Sequence, residues 1–268
     1  MLEFPFKSAA MLASWLAVAG SALSAEPYVV YDGFGVATLD ATKWSTSERF
    51  RGIKAGMLNM VQRDWGAVGS DVGSFGLSWG EDLAAQGKVT QIRARIIVNA
   101  IDMSSCAANP AVTSVRARTV GTFFNTGNPT PGSFVGDVIV QARMARFSNS
   151  VDPTGVMQVQ GRADMCTNAD CSASSPIGAV SLGTATVGTM AELSIEWNKA
   201  AKKFVFIRDA GASIGEVPYT VSDAAGPGRP VQAIGTRIDL PFCASGPRTM
   251  GFVDASFDNV SVNRTAKP

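Results

Sequence analysis

The feature that most limits how this chain can fold is a succession of short segments in which apolar and polar residues alternate, punctuated by Gly, Pro, Asn and Asp. Alternation with a period of two gives an extended strand one face for a core and one for water. Such segments occupy 28–31, 56–63, 89–99, 114–124, 136–146, 155–163, 192–197, 203–208, 232–240 and 251–263. Val, Ile, Thr and Phe recur within them, and these side chains suit a pleated, half-buried surface. Residues 82–86 alone read as a turn of helix, and Gly80 and Gly87 bound them. Many short strands with turn punctuation predict an all-β antiparallel sandwich or barrel. No repeat recurs at a fixed period and no linker divides the chain. The irregular stretches 107–113, 125–133, 169–176 and 218–230 read as loops of one body, a single domain over 26–268.

The first 25 residues read as a secretory signal peptide. Lys7 is followed by an apolar run over 9–19 and a small, neutral segment over 20–25, with cleavage expected near Ala22 to Ala25. The run falls short of the roughly 18 residues of a spanning helix, and no second long apolar run follows it. The expected location is therefore outside the cell or in the periplasm. All four cysteines, Cys106, Cys166, Cys171 and Cys243, lie beyond the leader. An even count in an exported chain predicts two disulfides. Three pairings exist. A bridge between Cys166 and Cys171, which enclose only four residues, is the easiest, and it leaves Cys106 with Cys243. Without a Cys-x-x-Cys spacing, a thiolate zinc site is disfavoured.

Charge and composition exclude several functions. Lys and Arg number 23 against 22 Asp and Glu, a balance too even for a general nucleic-acid binder. The chain contains no histidine. That removes Ser-His-Asp and Cys-His nucleophile systems, histidine-ligated zinc and a histidine general base.

Three segments carry a resemblance. YDGFGVATLDATKW (31–44), ELSIEWNKAAKKFVFIRDAG (192–211) and GFVDASFDNVSVN (251–263) resemble the opening, paired and closing strands of concanavalin A-like and laminin-G-like jelly rolls. The chain, particularly ERFRGIKAGMLNM (48–60) and GTRIDLP (235–241) with the closing strand, also looks similar to a group of secreted bacterial proteins. The resemblance implies a two-sheet jelly roll with its first strand, near 28–34, beside its last, near 251–262. It also implies a structural Ca²⁺ where those strands meet, with Asp32 and Asp258 as side-chain ligands and the Gly35 carbonyl as a third. Glucanases on this fold carry Glu-x-Asp-x-x-Glu on one strand, so that alternate carboxylates face the sugar. That pattern is absent. Glu192, Ser194 and Glu196 share one strand face but form no further part of it. Alginate lyases on this fold lean on a histidine and a tyrosine, and the histidine is missing here.

The expected function is non-catalytic binding of carbohydrate. A diverged polysaccharide hydrolase or lyase is one alternative, and a structural or adhesion protein with a protein partner is another. Sugar binding calls for exposed aromatic platforms beside polar groups. Trp65 and Trp79 flank a Gly- and Ser-rich stretch and are the candidates, whereas Trp44 and Trp197 sit in apolar patterns and are expected in the core. Arg93, Arg95, Arg116, Arg118, Arg143 and Arg146 fall on candidate neighbouring strands. On a shared concave face they would grip an acidic polysaccharide bidentately; on a solvated outer face they would pair with aspartates. Arg93 and Arg116 stand for this group as ligand contacts. Asp164, Asn168 and Asp170 around Cys166 form a weaker cation candidate, since such residues commonly shape turns.

Overall fold

In a computed structural model of the protein, the residues described are 47–66, 77–79, 89–241, 243 and 248–263. They form two antiparallel sheets. One has seven strands: β1 (Ser47–Lys54), β2 (Met57–Trp65), β13 (Met250–Val262), β4 (Gln91–Met103), β9 (Met190–Asn198), β10 (Lys203–Arg208) and β11 (Ser213–Pro218), in that spatial order. The other has six: β3 (Leu77–Trp79), β12 (Gln232–Ile238), β5 (Ser114–Asn125), β6 (Asp137–Phe147), β7 (Val156–Cys166) and β8 (Ser174–Thr186). The chain crosses from one sheet to the other after β2, β3, β4, β8, β11 and β12, which makes the two-sheet antiparallel jelly roll expected from the sequence.

Alternation explains the core. Ile92, Ala94, Ile96 and Val98 of β4 and Leu193 and Ile195 of β9 point inward. They meet Val115 and Ala117 of β5, Val138, Val140, Ala142 and Met144 of β6, and Met157 and Val159 of β7. An aromatic group closes one end: Phe124 stacks on Trp197 with ring centres 5.3 Å apart, and Tyr219 lies 4.9 Å from Phe124. Trp197 donates from Nε1 to the Tyr219 hydroxyl, which in turn donates to Asp223. Trp197 thus belongs to the core, as its pattern predicts. Two disulfides join Cys106 to Cys243 and Cys166 to Cys171. The first ties the loop after β4 to the segment before β13, and the second closes the turn between β7 and β8.

Four described strands, β1, β3, β8 and β11, have no counterpart in the sequence reading. β1 is an edge strand whose Phe50 and Ile53 are exposed, so it shows no buried stripe. β8 is also an edge, and Leu182 and Ala185 are its buried apolar residues. It begins at Ser174, inside the stretch read as loop. In β11 a glycine, Gly215, holds an inward position because a Cβ there would lie 2.3 Å from Val180 Cγ2. A glycine at the contact hides the apolar rhythm. The expected first strand near 28–34 lies outside the described residues. β13 is an interior strand, with β2 on one side and β4 on the other over Gly251–Phe257.

Candidate ligand groove

The outward faces of β5, β6, β7 and β12 form one surface. Because Val115, Ala117, Val140, Ala142, Met144 and Ile238 face the core, their sequence neighbours Arg116, Arg118, Gln141, Arg143 and Arg237 face out. By the same alternation β7 presents Gln160, Arg162 and Asp164, and Asp239 follows β12 on the same face. All of these but Gln160 line a trough of about 500 Å³. Phe134, from the loop between β5 and β6, and Asp170 to Ser172, from the disulfide-closed turn, lie at one end. Phe147 and Asp239 lie at the other.

Five arginines meet here with three aspartates, of which Asp164 and Asp239 pair with them. Arg116 and Arg237 sit directly opposite each other across the β5–β12 pairing. The Asp239 carboxylate lies between them, 2.7 Å from Arg116 Nη1 and 3.0 Å from Arg237 Nε. Arg116 also donates to the Ser114 hydroxyl. Arg162 grips Asp164 bidentately at 2.6 Å for both bonds. Arg118 and Arg143 sit directly opposite across the β5–β6 pairing. They find amides instead: Arg118 donates to Gln141 Oε1 at 3.3 Å, and Arg143 donates to Gln160 Oε1 at 2.9 Å. The Arg143 guanidinium also lies over the Phe147 ring at 5.5 Å.

Burial dominates the electrostatics. Desolvation, followed by the charges of Arg116 and Arg162, pushes Arg143 down to about 9. Desolvation lowers Arg116 to about 10, with Asp239 acting against it. Desolvation, then Arg116 and Arg237, hold Arg118 well below the usual arginine range. For Asp239 desolvation favours the neutral acid, but Arg116 and Arg237 outweigh it and keep the carboxyl below its ordinary value. Asp239 is therefore held ionised by arginine and is not placed to act as a general acid, which needs a raised pKa.

The structure redistributes the sequence candidates. Arg116, Arg118 and Arg143 come together as the shared-face reading requires. Arg93 and Arg95 do not: they belong to β4 in the other sheet, where both pair with Glu192 at 3.6 and 3.3 Å. Arg146 turns to the carbonyls of Pro153 and Val156. Trp65 is 5% exposed, so it is not a surface platform. Its place at the end of β2, opposite Met250, encloses it. The backbone of Trp79 pairs with Gln232 at the edge of the six-stranded sheet, and its side chain lies outside the described residues. Asp32, Gly35 and Trp44 also lie outside them. Asp258 is half-buried where the β13–β4 register breaks. Among the described residues no group of three or more metal-binding side chains occurs. Asp164 is held by Arg162, while Asn168 and Asp170 bond to Ser172 and Ala173 and shape the turn. Glu192 and Glu196 lie four residues apart on one strand, about 13 Å at the rise of a strand. That exceeds the carboxylate separations of either class of glycosidase. Tyr219, the described tyrosine, is buried in the core, and desolvation with its bond to Asp223 pushes it up to about 12.

Sequence reasoning overlooked Arg162, Arg237, Asp239, Gln141 and Gln160. A signal for them exists: Arg162-x-Asp164 and Arg237-x-Asp239 place opposite charges two residues apart on one strand face.

No family model matches the chain, and no curated protein matches it. Solved structures do. A marine PL7 alginate lyase from Zobellia galactanivorans is 10% identical, with a TM-score of 0.41 and 85% of each chain covered. Lectin II from Ulex europaeus is 12% identical, with a TM-score of 0.29 over 79% of this chain and 90% of that one. Peanut lectin is 13% identical, with a TM-score of 0.25 over 81% and 90%. With TM-scores below 0.5 these likenesses add nothing to the fold assignment, and the jelly roll described above rests on the chain's own strand order.

Proposed function

We propose that the protein is an exported, non-catalytic carbohydrate-binding module whose ligand lies in the trough of the six-stranded sheet. The observation that carries this reading is the trough itself: side chains of four neighbouring strands converge there with amide and guanidinium groups facing out. Planar amides and guanidinium groups suit sugar hydroxyls and ring substituents, and Phe134 and Phe147 offer apolar faces at the two ends. The absence of histidine and the arginine-held Asp239 carboxylate favour binding over catalysis. The leader-like sequence over 1–25 and the two disulfides support export. Among the described residues no helix is long and apolar enough to cross a membrane. The proposal includes a structural Ca²⁺ on Asp32, Asp258 and the Gly35 carbonyl.

The test is a glycan array probed with the oxidised mature protein, with calcium and then with chelator. Binding to a defined polysaccharide is expected. It should be lost in Ala233→Trp, which fills the trough from a position lining it, with the fold checked by its melting temperature. A chelator that lowers the melting temperature supports the calcium site. No binding across neutral and acidic glycans would overturn the carbohydrate reading in favour of a protein partner.

A further inference from the structure

Two pairs of arginines stand directly opposite each other on this face, and the chain treats them differently. Like charges placed directly across a strand pair repel, and burial sharpens the repulsion. For Arg116 and Arg237 the chain supplies its own remedy, the Asp239 carboxylate lodged between them. For Arg118 and Arg143 it supplies none: among the described residues neither has a carboxylate within ion-pair distance. Arg143 is 6% exposed and its Nε is buried without a hydrogen-bond partner. Its one oxygen partner and that of Arg118 are neutral amides. Hydrogen bonds to an ionised acceptor are roughly twice as strong as those to a neutral one. The pair thus holds donor capacity and uncompensated charge at the floor of an open trough.

We propose that Arg118 and Arg143 form a carboxylate site, filled by the uronic acid group of an acidic polysaccharide as Asp239 fills the space between Arg116 and Arg237. This rests on the carbohydrate reading of the trough and narrows it to one sugar class. The intramolecular site serves as the template: two opposed guanidiniums and one two-oxygen acceptor. Arg162 and Asp164 cancel, and the Arg116–Asp239–Arg237 cluster keeps one net charge, so the Arg118–Arg143 pair, with two charges and no ion-paired carboxylate, draws the added anion.

The experiment is titration calorimetry of the intact oxidised protein with oligogalacturonate, with the same oligomer after reduction of its carboxyl groups, with dextran sulfate against dextran, and with free sulfate and acetate. Arg118→Gln and Arg143→Gln are measured alongside. The carboxylated oligomer should bind, and the reduced one should bind at least about tenfold more weakly. Each variant should lose about tenfold or more of that affinity. Without ligand each variant should melt at or above the wild-type temperature, because a repulsive partner has gone. A purely structural arginine would melt lower. Equal binding of carboxylated and reduced oligomers, or full affinity in both variants, overturns the site while the carbohydrate reading stands. Preference for dextran sulfate with indifference to oligogalacturonate overturns the carboxylate assignment. If no polymer binds, the carbohydrate reading falls and this inference with it.

Discussion

Asp239→Asn removes one charge from the trough and nothing else of size. In the wild type the Asp239 carboxylate is largely buried and bonds to both Arg116 and Arg237. The amide retains the shape but leaves two opposed guanidiniums without an anion. Breaking a buried ion pair by removing one partner costs about 3–5 kcal/mol. The side chain of Arg237 is 23% exposed, and that of Asp239 12%, so solvent screens part of the loss and about 3 kcal/mol is the expected cost. For a domain of this size that lowers the melting temperature by about 6–12 °C. Urea denaturation at pH 7 measures the cost directly. The pH dependence gives a second reading. The carboxyl has a folded-state pKa below its ordinary value. Its stabilisation is therefore complete above the unfolded value, about 3.9, and is lost as the pH falls through the lower, folded one. The variant should lack that acid-side loss. A change under about 1 kcal/mol, the range of an exposed pair, together with an unaltered acid profile, would refute the view that Asp239 neutralises the Arg116–Arg237 pair.

Other consequences follow from local contacts. The buried Asp137 carboxylate accepts from Asn125 Nδ2 and from the backbone N–H groups of Gly228 and Arg229, pinning the loop before β12 beside the trough. Asp137→Ala should cost about 3 kcal/mol and speed amide exchange at Gly228 and Arg229; unchanged exchange there would contradict the pinning. Gly161→Ala would drive a Cβ to 2.1 Å from Phe206 Cγ at the contact between the sheets. It should destabilise by about 1–3 kcal/mol or more in denaturant titration, and a neutral result would mean the sheets part easily. Replacing Cys106 and Cys243 by alanine opens a loop of separation 137, against 5 for Cys166 and Cys171. Chain entropy puts the losses at about 5 and about 2 kcal/mol, so the reverse order in paired melting experiments would contradict that ranking.

Much of the fold is legible in the residues because burial writes a period of two. β4, β5, β6 and β7 each place small or branched apolar residues at alternate positions, and their extents follow the sequence reading closely. β1, β8 and β11 escape because edge strands bury little, or because glycine occupies the inward place. The trough was half legible. Arg116 and Arg118 announce a shared face by their spacing, and Arg143 falls on the next strand. What no single segment states is register. Which arginine stands opposite which, and that Asp239 reaches one pair and not the other, depends on how β12, β5 and β6 align. Arg93 has the same local look as Arg116, yet the crossing after β4 sends it to the other sheet. Trp65 shows the converse: a polar, glycine-rich neighbourhood suggested exposure, but the strand end is enclosed.

The measurement that bears most directly on the central claim is hydrogen exchange of the protein with and without the polysaccharide selected on the array. A ligand lying in the trough should slow exchange in β5, β6 and β12 and in the loop around Phe134. Protection centred on β4 and β9, around Arg93 and Glu192, with none on the six-stranded sheet, would place the ligand on the opposite face and contradict the account.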